Sequence, residues 1–339
     1  VAARAGVSTA MVSNALNGTG RMLEATRQRV LTAARELGHA QASTARAVAR
    51  GRTGALGLTT TTYGDLPVSY TEIPYDAQLT LSAMAAALER GYVLMAMPSS
   101  LSPWMWLTMP TDGVIHVEPR VDGPVRSLLR ERGVPMVTDG RPLRPHWNDA
   151  WVDTDHDTAM SLLLGHLAES GARRSALSQP LHDDACSRLI GRAYRSWCAE
   201  QGMPALVEEY AALPDCFTAE REAVGRLLDR DPRPDAVLGV YSDSGHNILA
   251  AGRRCGLRVP RDLLVACVSE DPDYATTNPS VTTLSLRPDR VGVEAVDLLI
   301  SLINAFGGVT RHRLVAPLLT PRRSTRRPPP TPRRGERPR

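Results

Sequence analysis

The chain has 339 residues, 42% hydrophobic and 22% charged, a globular composition with length for about two domains and a smaller element. It contains no lysine: all 40 basic residues are arginine, which excludes lysine-dependent phosphate loops, Schiff-base enzymes and lysine general bases. No run of 18 apolar residues is present, so no membrane partner is expected, and five cysteines without paired spacing give neither a disulfide framework nor a zinc site.

The net charge of +4 is unevenly spread. Residues 1–52 carry +6, residues 321–339 carry +7, and the stretch between them carries −9. A basic head on an acidic body fits an anionic polymer at one end and a small ligand at the other.

Residues 1–20 predict a short helix, a tight turn and a second short helix. Gly6 tolerates positive φ at the corner, and Ser8 is a good N-cap for the second helix. Ala2, Val7, Val12 and Leu16 are expected to face inward, leaving Thr9, Ala10, Ser13 and Asn14 on the outer face. This is a helix-turn-helix pattern, whose second helix enters the major groove; taken alone, it also fits a two-helix corner in an enzyme. A third helix is predicted from about residue 24 to 37, with Val30, Ala33, Ala34 and Leu37 as its stripe and Gly38 as its stop. Residues 42–50 have helix propensity but little apolar mass, too little for a stable isolated helix.

These residues resemble the head of the LacI/GalR (lactose-repressor) family of transcription regulators. The match runs through Val1-Ala2, Ala5-Gly6-Val7-Ser8, Val12-Ser13 and Leu16-Asn17-Gly18. It continues through Thr26-Arg27, Arg29-Val30, Ala33-Ala34, Glu36-Leu37-Gly38, Ala45-Arg46 and Gly51-Arg52-Thr53-Gly54. The resemblance implies DNA contacts from Ser8, Thr9, Ala10, Ser13, Asn14, Asn17, Thr26, Ala45 and Val48. It also implies that residues 42–53 are a hinge that folds on operator DNA, with Val48 at the position of the usual leucine wedge. Gln41 and His39 depart from the family's proline and tyrosine, and Leu23 replaces the usual cap of the third helix.

From residue 54 the pattern alternates strand and helix, which predicts parallel, doubly wound sheets. A β run starts at residue 55. A helix at about 76–90 is expected to turn Leu79, Met84, Ala87 and Leu88 to one side. Strands at 92–97, 114–117 and 135–138 flank a proline- and tryptophan-rich segment, 99–110, and a helix at 125–132; the segment after residue 98 is too short for a full second helix. A second α/β set is predicted from residue 151. Its helices lie at 158–170, 185–201, 219–229 and 245–255, its strands at 175–178, 236–241 and 263–268. A last helix follows at 290–306. Matches at Gly256-Leu257-Arg258-Val259-Pro260, Asn278-Pro279, Val281-Thr282-Thr283 and Ser324-Thr325 extend the family resemblance to about residue 325.

The resemblance implies a small all-α helix-turn-helix head on an α/β body of two doubly wound parallel-sheet subdomains, like periplasmic sugar-binding proteins. The expected layout is a DNA-binding domain at 1–41, truncated at its N-terminus, a hinge at 42–53, and an effector-binding and dimerisation domain at 54–320. Its subdomains are about 54–152 with 283–306, and 153–282 with 307–320. An Arg/Pro-rich tail at 321–339 cannot bury a core and is expected to be disordered. The effector is expected in the cleft outside the carboxyl ends of the strands. Family positions there are matched by Tyr75, Asp76, Arg188, Phe217 and Asp243, whereas Ser242, Ser269 and Glu270 replace an asparagine and an Asp-Asp pair.

Three motifs fail. Asp153, Asp155 and Asp157 open like a calcium loop, but Thr158 and Leu164 replace the required glycine and glutamate; Asp157 is better as a helix cap. Ser242-Asp243-Ser244-Gly245-His246 holds triad residue types, yet adjacency is not triad geometry. His182-Asp183-Asp184 lacks further metal ligands nearby. No metal or cofactor is expected. The sequence therefore predicts a cytoplasmic, homodimeric transcription regulator, most simply a repressor, with double-stranded operator DNA and a small-molecule effector as partners. A transporter's solute-binding protein and a sugar-processing enzyme are the alternatives; the lack of a leader and the basic head count against the first, and the lack of a catalytic constellation against the second.

Overall fold

The computed structural model describes residues 1–17, 20, 22–36, 52–60, 73–97, 103–117, 124–181, 185–211, 216–241, 243–304, 308 and 310–327. They fall into two compact units, 1–55 with 110–112, and 56–109 with 113–339. Ala45, Val48, His39, Gln41, Ser242, His182-Asp183-Asp184 and the tail beyond Arg327 lie outside the described residues.

The first unit holds α1 (Ala2–Ala5), α2 (Thr9–Asn17) and α3 (Glu24–Glu36). Gly6 ends α1 in the left-handed conformation, φ 64°, which costs a residue without Cβ little. Ser8 Oγ accepts the Met11 N–H at 3.2 Å and so caps α2 as expected. Of the predicted inward set, Val7 and Val12 pack on the head's core and Ala2 is half-buried, while the side chain of Leu16 lies outside the described ones. Ala5, Ala15, Val30 and Ala33 form the small core, while Val1, Val7, Val12 and Met22 are half-buried around it. Leu23 caps α3 through its carbonyl alone, which accepts the N–H groups of Thr26 and Arg27. Further along, the Asp112 carboxylate gathers Thr53 N, Thr53 Oγ1 and Gly54 N at 2.6–2.9 Å. That gives the Gly-Arg-Thr-Gly match a structural task.

Among the described residues, the second unit is built on two six-stranded sheets. The first contains β1 (Ala55–Thr60), β2 (Val93–Ala96), β3 (Gly113–Val117), β4 (Met136–Asp139), β5 (Trp151–Thr154) and β11 (His312–Val315), in the order β11-β5-β4-β3-β1-β2. The second contains β6 (Ser175–Pro180), β7 (Leu206–Tyr210), β8 (Ala236–Val240), β9 (Leu264–Val268), β10 (Thr282–Ser285) and β12 (Leu318–Thr320), in the order β12-β10-β9-β8-β6-β7. The pairings of β1, β3, β4, β5 and β11 are parallel, and so are those from β7 through β10; β12 runs antiparallel at its edge. Buried on both faces, β1, β3, β8 and β9 read as near-continuous apolar runs.

The helices are α4 (Pro74–Glu89), α5 (Pro103–Thr108), α6 (Pro124–Glu131), α7 (His156–Glu169), α8 (Ala185–Glu200), α9 (Cys216–Leu228), α10 (Ser244–Arg254) and α11 (Pro288–Asn304). On the first sheet, Leu56, Leu58, Ile115, Val137 and Val152 pack under α4 and α11. On the second, Leu177, Leu238 and Leu264 pack with α7 and α8, while Val237, Val265 and Cys267 pack with α9 and α10.

The expected disordered tail does not begin at residue 321: Ser324 and Thr325 are buried, with Ser324 Oγ donating to Val265 O at 2.6 Å and accepting from Thr282 N at 2.8 Å, because their hydroxyls complete the polar edge of β9 and β10. The subdomain boundaries also need correction. β5 pairs with β4 through Thr138↔Trp151, so residues 153–154 finish the first sheet. β10 pairs with β9, so residues 283–285 belong to the second sheet; β11 pairs with β5, so residues 312–315 belong to the first. Alternation along a sequence does not say which sheet a strand joins, and this chain crosses between sheets after Thr154, after Ser285 and after Val315. Leu79 and Ala87 are buried as predicted, but Met84 and Leu88 are exposed at 41% and 59%, because α4 turns Ala83 and Ala86 inward in their place. Asp157 is not the cap of α7. Asp155 is, accepting Thr158 N at 3.0 Å and Thr158 Oγ1 at 2.7 Å.

Candidate DNA interface and effector cleft

On α2, Ser8, Thr9, Ala10, Ser13 and Asn14 are all exposed, whereas Ala15 is buried and Val12 half-buried. The predicted reading face is therefore exposed on the first two turns of a capped helix, with no acidic residue in its first turn to repel phosphate. The Asn14 carboxamide lies over Gly20: a Cβ there would sit 2.9 Å from Asn14 Nδ2. Thr26 is half-buried in the first turn of α3, which limits its reach. Asn17 ends α2, and its side chain lies outside the described ones. Arg4 and Glu36 form an exposed ion pair at 3.2 Å between α1 and α3.

In the body, the predicted effector residues gather at the carboxyl ends of the strands. Tyr75 Oη donates to Asp139 Oδ1 at 3.0 Å, tying the first turn of α4 to the end of β4. Its ring packs against the cores of both sheets, so it stands at their junction. Asp76 is buried, and burial pushes its carboxyl up to about 7. One turn on, Gln78 Nε2 donates to the Glu270 carbonyl at 3.2 Å, which joins α4 to the end of β9.

Ser269 follows β9, is buried, and accepts the Asp271 N–H through Oγ at 3.1 Å. Arg188 is exposed in the first turn of α8; the adjacent Ser187 Oγ is 2.9 Å from Tyr241 Oη, which ties that turn to the end of β8. Tyr241 has φ 88°, a strained value for a residue with a side chain. Asp243 is exposed just before α10 and makes no capping bond, and partial burial and nearby Asp271 raise its carboxyl against the opposing pull of His246. Phe217 is 46% exposed at the start of α9, so it serves no core. Thus the Gln78–Glu270 bond joins the helix bearing Tyr75 and Asp76 to the segment bearing Ser269, and Arg188 and Asp243 flank the end of β8. Nothing joins Phe217 to either group among the described bonds.

Sequence reasoning missed Asp139, Ser187 and Tyr241. It also missed Glu220, which is 2% exposed on α9 and accepts Asn247 Nδ2 at 2.7 Å. Burial pushes its carboxyl up to about 7. The signal was present, because Glu220 falls in step with Ala223, Val224 and Leu227 on one helical stripe. The aspartates of the calcium-like run serve locally. Asp153 accepts Arg141 N and Thr154 N and faces His156, and no metal-ligating cluster occurs among the described residues.

Comparison with known proteins follows the same division. The family model described as bacterial regulatory proteins, lacI family, matches residues 1–41, and that for a periplasmic binding protein-like domain matches residues 164–325. The HTH-type transcriptional regulator CelR of Thermobifida fusca is 30% identical over 312 residues, covering 89% of this chain and 90% of that protein. The HTH-type transcriptional repressor PurR of Salmonella paratyphi A is 28% identical over 353 residues, covering 96% and 95%. A solved CelR–cellobiose complex superposes with a TM-score of 0.72 at 25% identity, covering 95% of this chain and 98% of that one. The lac repressor dimer bound to operator and the anti-inducer ONPF shares the fold, with a TM-score of 0.67 at 20% identity, covering 96% and 97%.

Proposed function

Because this chain belongs to the LacI family of bacterial regulatory proteins, we propose that it grips operator DNA as a homodimer through α2 and loosens or tightens that grip when a small molecule enters the cleft of its body. It is a DNA-binding, effector-controlled transcription regulator. The observation that carries the DNA half is the exposed row Thr9, Ala10, Ser13 and Asn14 on a helix capped by Ser8. Side chains at the start of such a helix reach base edges in the major groove, and Asn14 is suited to a bidentate bond with adenine. Arginines and helix N-termini supply the phosphate contacts, which fix register without reading sequence. Ala45 and Val48 are assigned to the minor groove on the family match alone.

The homodimer is supported by an apolar stripe at helical spacing, Leu81, Met84 and Leu88, exposed on α4, with Val93 exposed on β2. A self-complementary face of this kind suits a two-fold dimer, whose symmetry a near-palindromic operator mirrors. The effector half rests on Tyr75, Asp76, Arg188, Asp243 and Ser269 at the strand ends, with Phe217 assigned by the family match. A sugar or related metabolite is the proposed ligand class, in keeping with the cellobiose held by the similar CelR. The ligand acts only through its different affinity for the two arrangements of the body. We place the protein in the cytoplasm and assign it no catalytic activity, since the relatives are transcriptional regulators.

The test is mass spectrometry of ligand retained by the purified full-length protein, followed by operator affinity with and without that compound. A retained metabolite that shifts operator affinity by tenfold or more supports the proposal; a compound that is turned over, or bound without any shift, refutes it.

A further inference from the structure

Three segments cross between the sheets of the body, and hydrogen bonds tie each to the next. Asp155 N, after β5, donates to Val315 O at the end of β11 at 3.2 Å. Thr154 Oγ1 donates to Leu286 O, after β10, at 2.7 Å. On the other side of the same residue, Leu286 N donates to the Glu270 carboxylate at 2.7 Å. Thr154 and Leu286 are both buried, so the bond between them has no ready substitute in water; Glu270 is half-buried.

Glu270 joins this chain to the cleft. It directly follows Ser269, and its carbonyl accepts Gln78 Nε2 from α4 of the opposite subdomain. The carboxylate reaches the crossover through Leu286 N. The same crossover carries Arg287 at φ 62°, pinned to Asp289 through two bonds of 2.9 Å. A residue with a side chain in that conformation marks a segment held by its surroundings.

We infer that Glu270 is a positioning residue of the effector response: its carboxylate ties the strand end bearing Ser269 to the β10–α11 crossover and, through Leu286 and Thr154, to the other two crossovers, so that the three move as one. This rests on the effector reading of the cleft, because a shift at Ser269 is what the linkage would transmit.

The experiment is hydrogen–deuterium exchange by mass spectrometry on the full-length, ligand-free protein, comparing wild type, E270A, E270Q and T154V. The glutamine keeps an acceptor for Leu286 N and should behave as wild type within threefold. E270A should speed exchange at least tenfold in peptides covering residues 283–288, 151–157 and 312–318 together, with β3 and β8 unchanged. T154V should speed the same three, and it decides the matter if E270A does not fold. A rise confined to residues 283–288 overturns the inference, as does a rise that spreads to β3 and β8, which would mark Glu270 as merely structural. Should the wild type select no duplex at all, the regulator reading fails while the exchange result still decides the role of Glu270.

Discussion

Replacing Gly292 by alanine tests how closely the two helices behind the first sheet approach. A Cβ at Gly292 on α11 would lie 2.6 Å from the Leu79 carbonyl oxygen and 3.0 Å from Ala83 N, both in the backbone of α4. The first contact is about 0.8 Å short of ordinary van der Waals separation, and backbone cannot swing aside as a side chain can. Overpacking of this kind costs about 1–3 kcal/mol, against a gain in helix propensity of about 1 kcal/mol. A net loss of about 0–2 kcal/mol is expected for G292A. Gly165 on α7 is the control, since nothing lies within 4 Å of its Cβ position. G165A should gain about 0.5–1 kcal/mol from propensity alone. Urea unfolding followed by circular dichroism reads both. Because α4 begins with Tyr75 and Asp76, pushing it off α11 should also weaken effector binding, which G165A should not do. Equal stabilisation of G292A and G165A would refute the close approach of α4 and α11.

Asn14→Ala should cost about 1–3 kcal/mol in operator binding and relax preference at one base pair per half-site, read by anisotropy on single-base operator variants. Gly20→Ala should disturb the same base pair by displacing the Asn14 carboxamide, and that disturbance should vanish in the N14A background. Glu220 has a folded pKa of about 7, raised from 4.5, so the folded state holds its proton more tightly than the unfolded chain. Stability is then fully present below about pH 4.5 and falls as pH rises through 7. Urea midpoints of E220Q should lack that fall, the gap to wild type at pH 8 being at most on the order of 3 kcal/mol. Arg126 meets the buried Asp149 carboxylate, which Arg130 also contacts at 2.9 Å. R126M should cost about 3 kcal/mol by leaving that carboxylate partly unpaired, and adding D149N should recover part of the loss.

Much of the body was legible because long amphipathic helices and fully buried strands carry strong periodicity. Helices α7, α8 and α10 and strands β3, β8 and β9 lie close to their predicted limits. Strand β7, Leu206–Tyr210, was missed because Glu208 and Glu209 interrupt its apolar pattern at the sheet edge. Edge strands β11 and β12 are short and largely exposed, so no apolar run announces them. The facing of α4 was misjudged for an opposite reason. Close approach to Gly292 selects the alanines inward and leaves the larger Met84 and Leu88 outside, and no single-helix pattern contains that partner. In the head, the two helices and the exposed face of the second were legible from the cap and the turn, both local features. At the strand ends, Tyr75 and Ser269 were singled out through resemblance, but Asp139 and Tyr241 take their places from tertiary contacts that sequence spacing does not encode.

The most direct measurement is selection of duplexes from a random pool by the full-length protein, with wild type and N14A run in parallel. The account predicts that wild type enriches a near-palindromic sequence and that N14A loses one defined base preference in each half. No enrichment by wild type, or the same enriched sequence from both proteins, would contradict it.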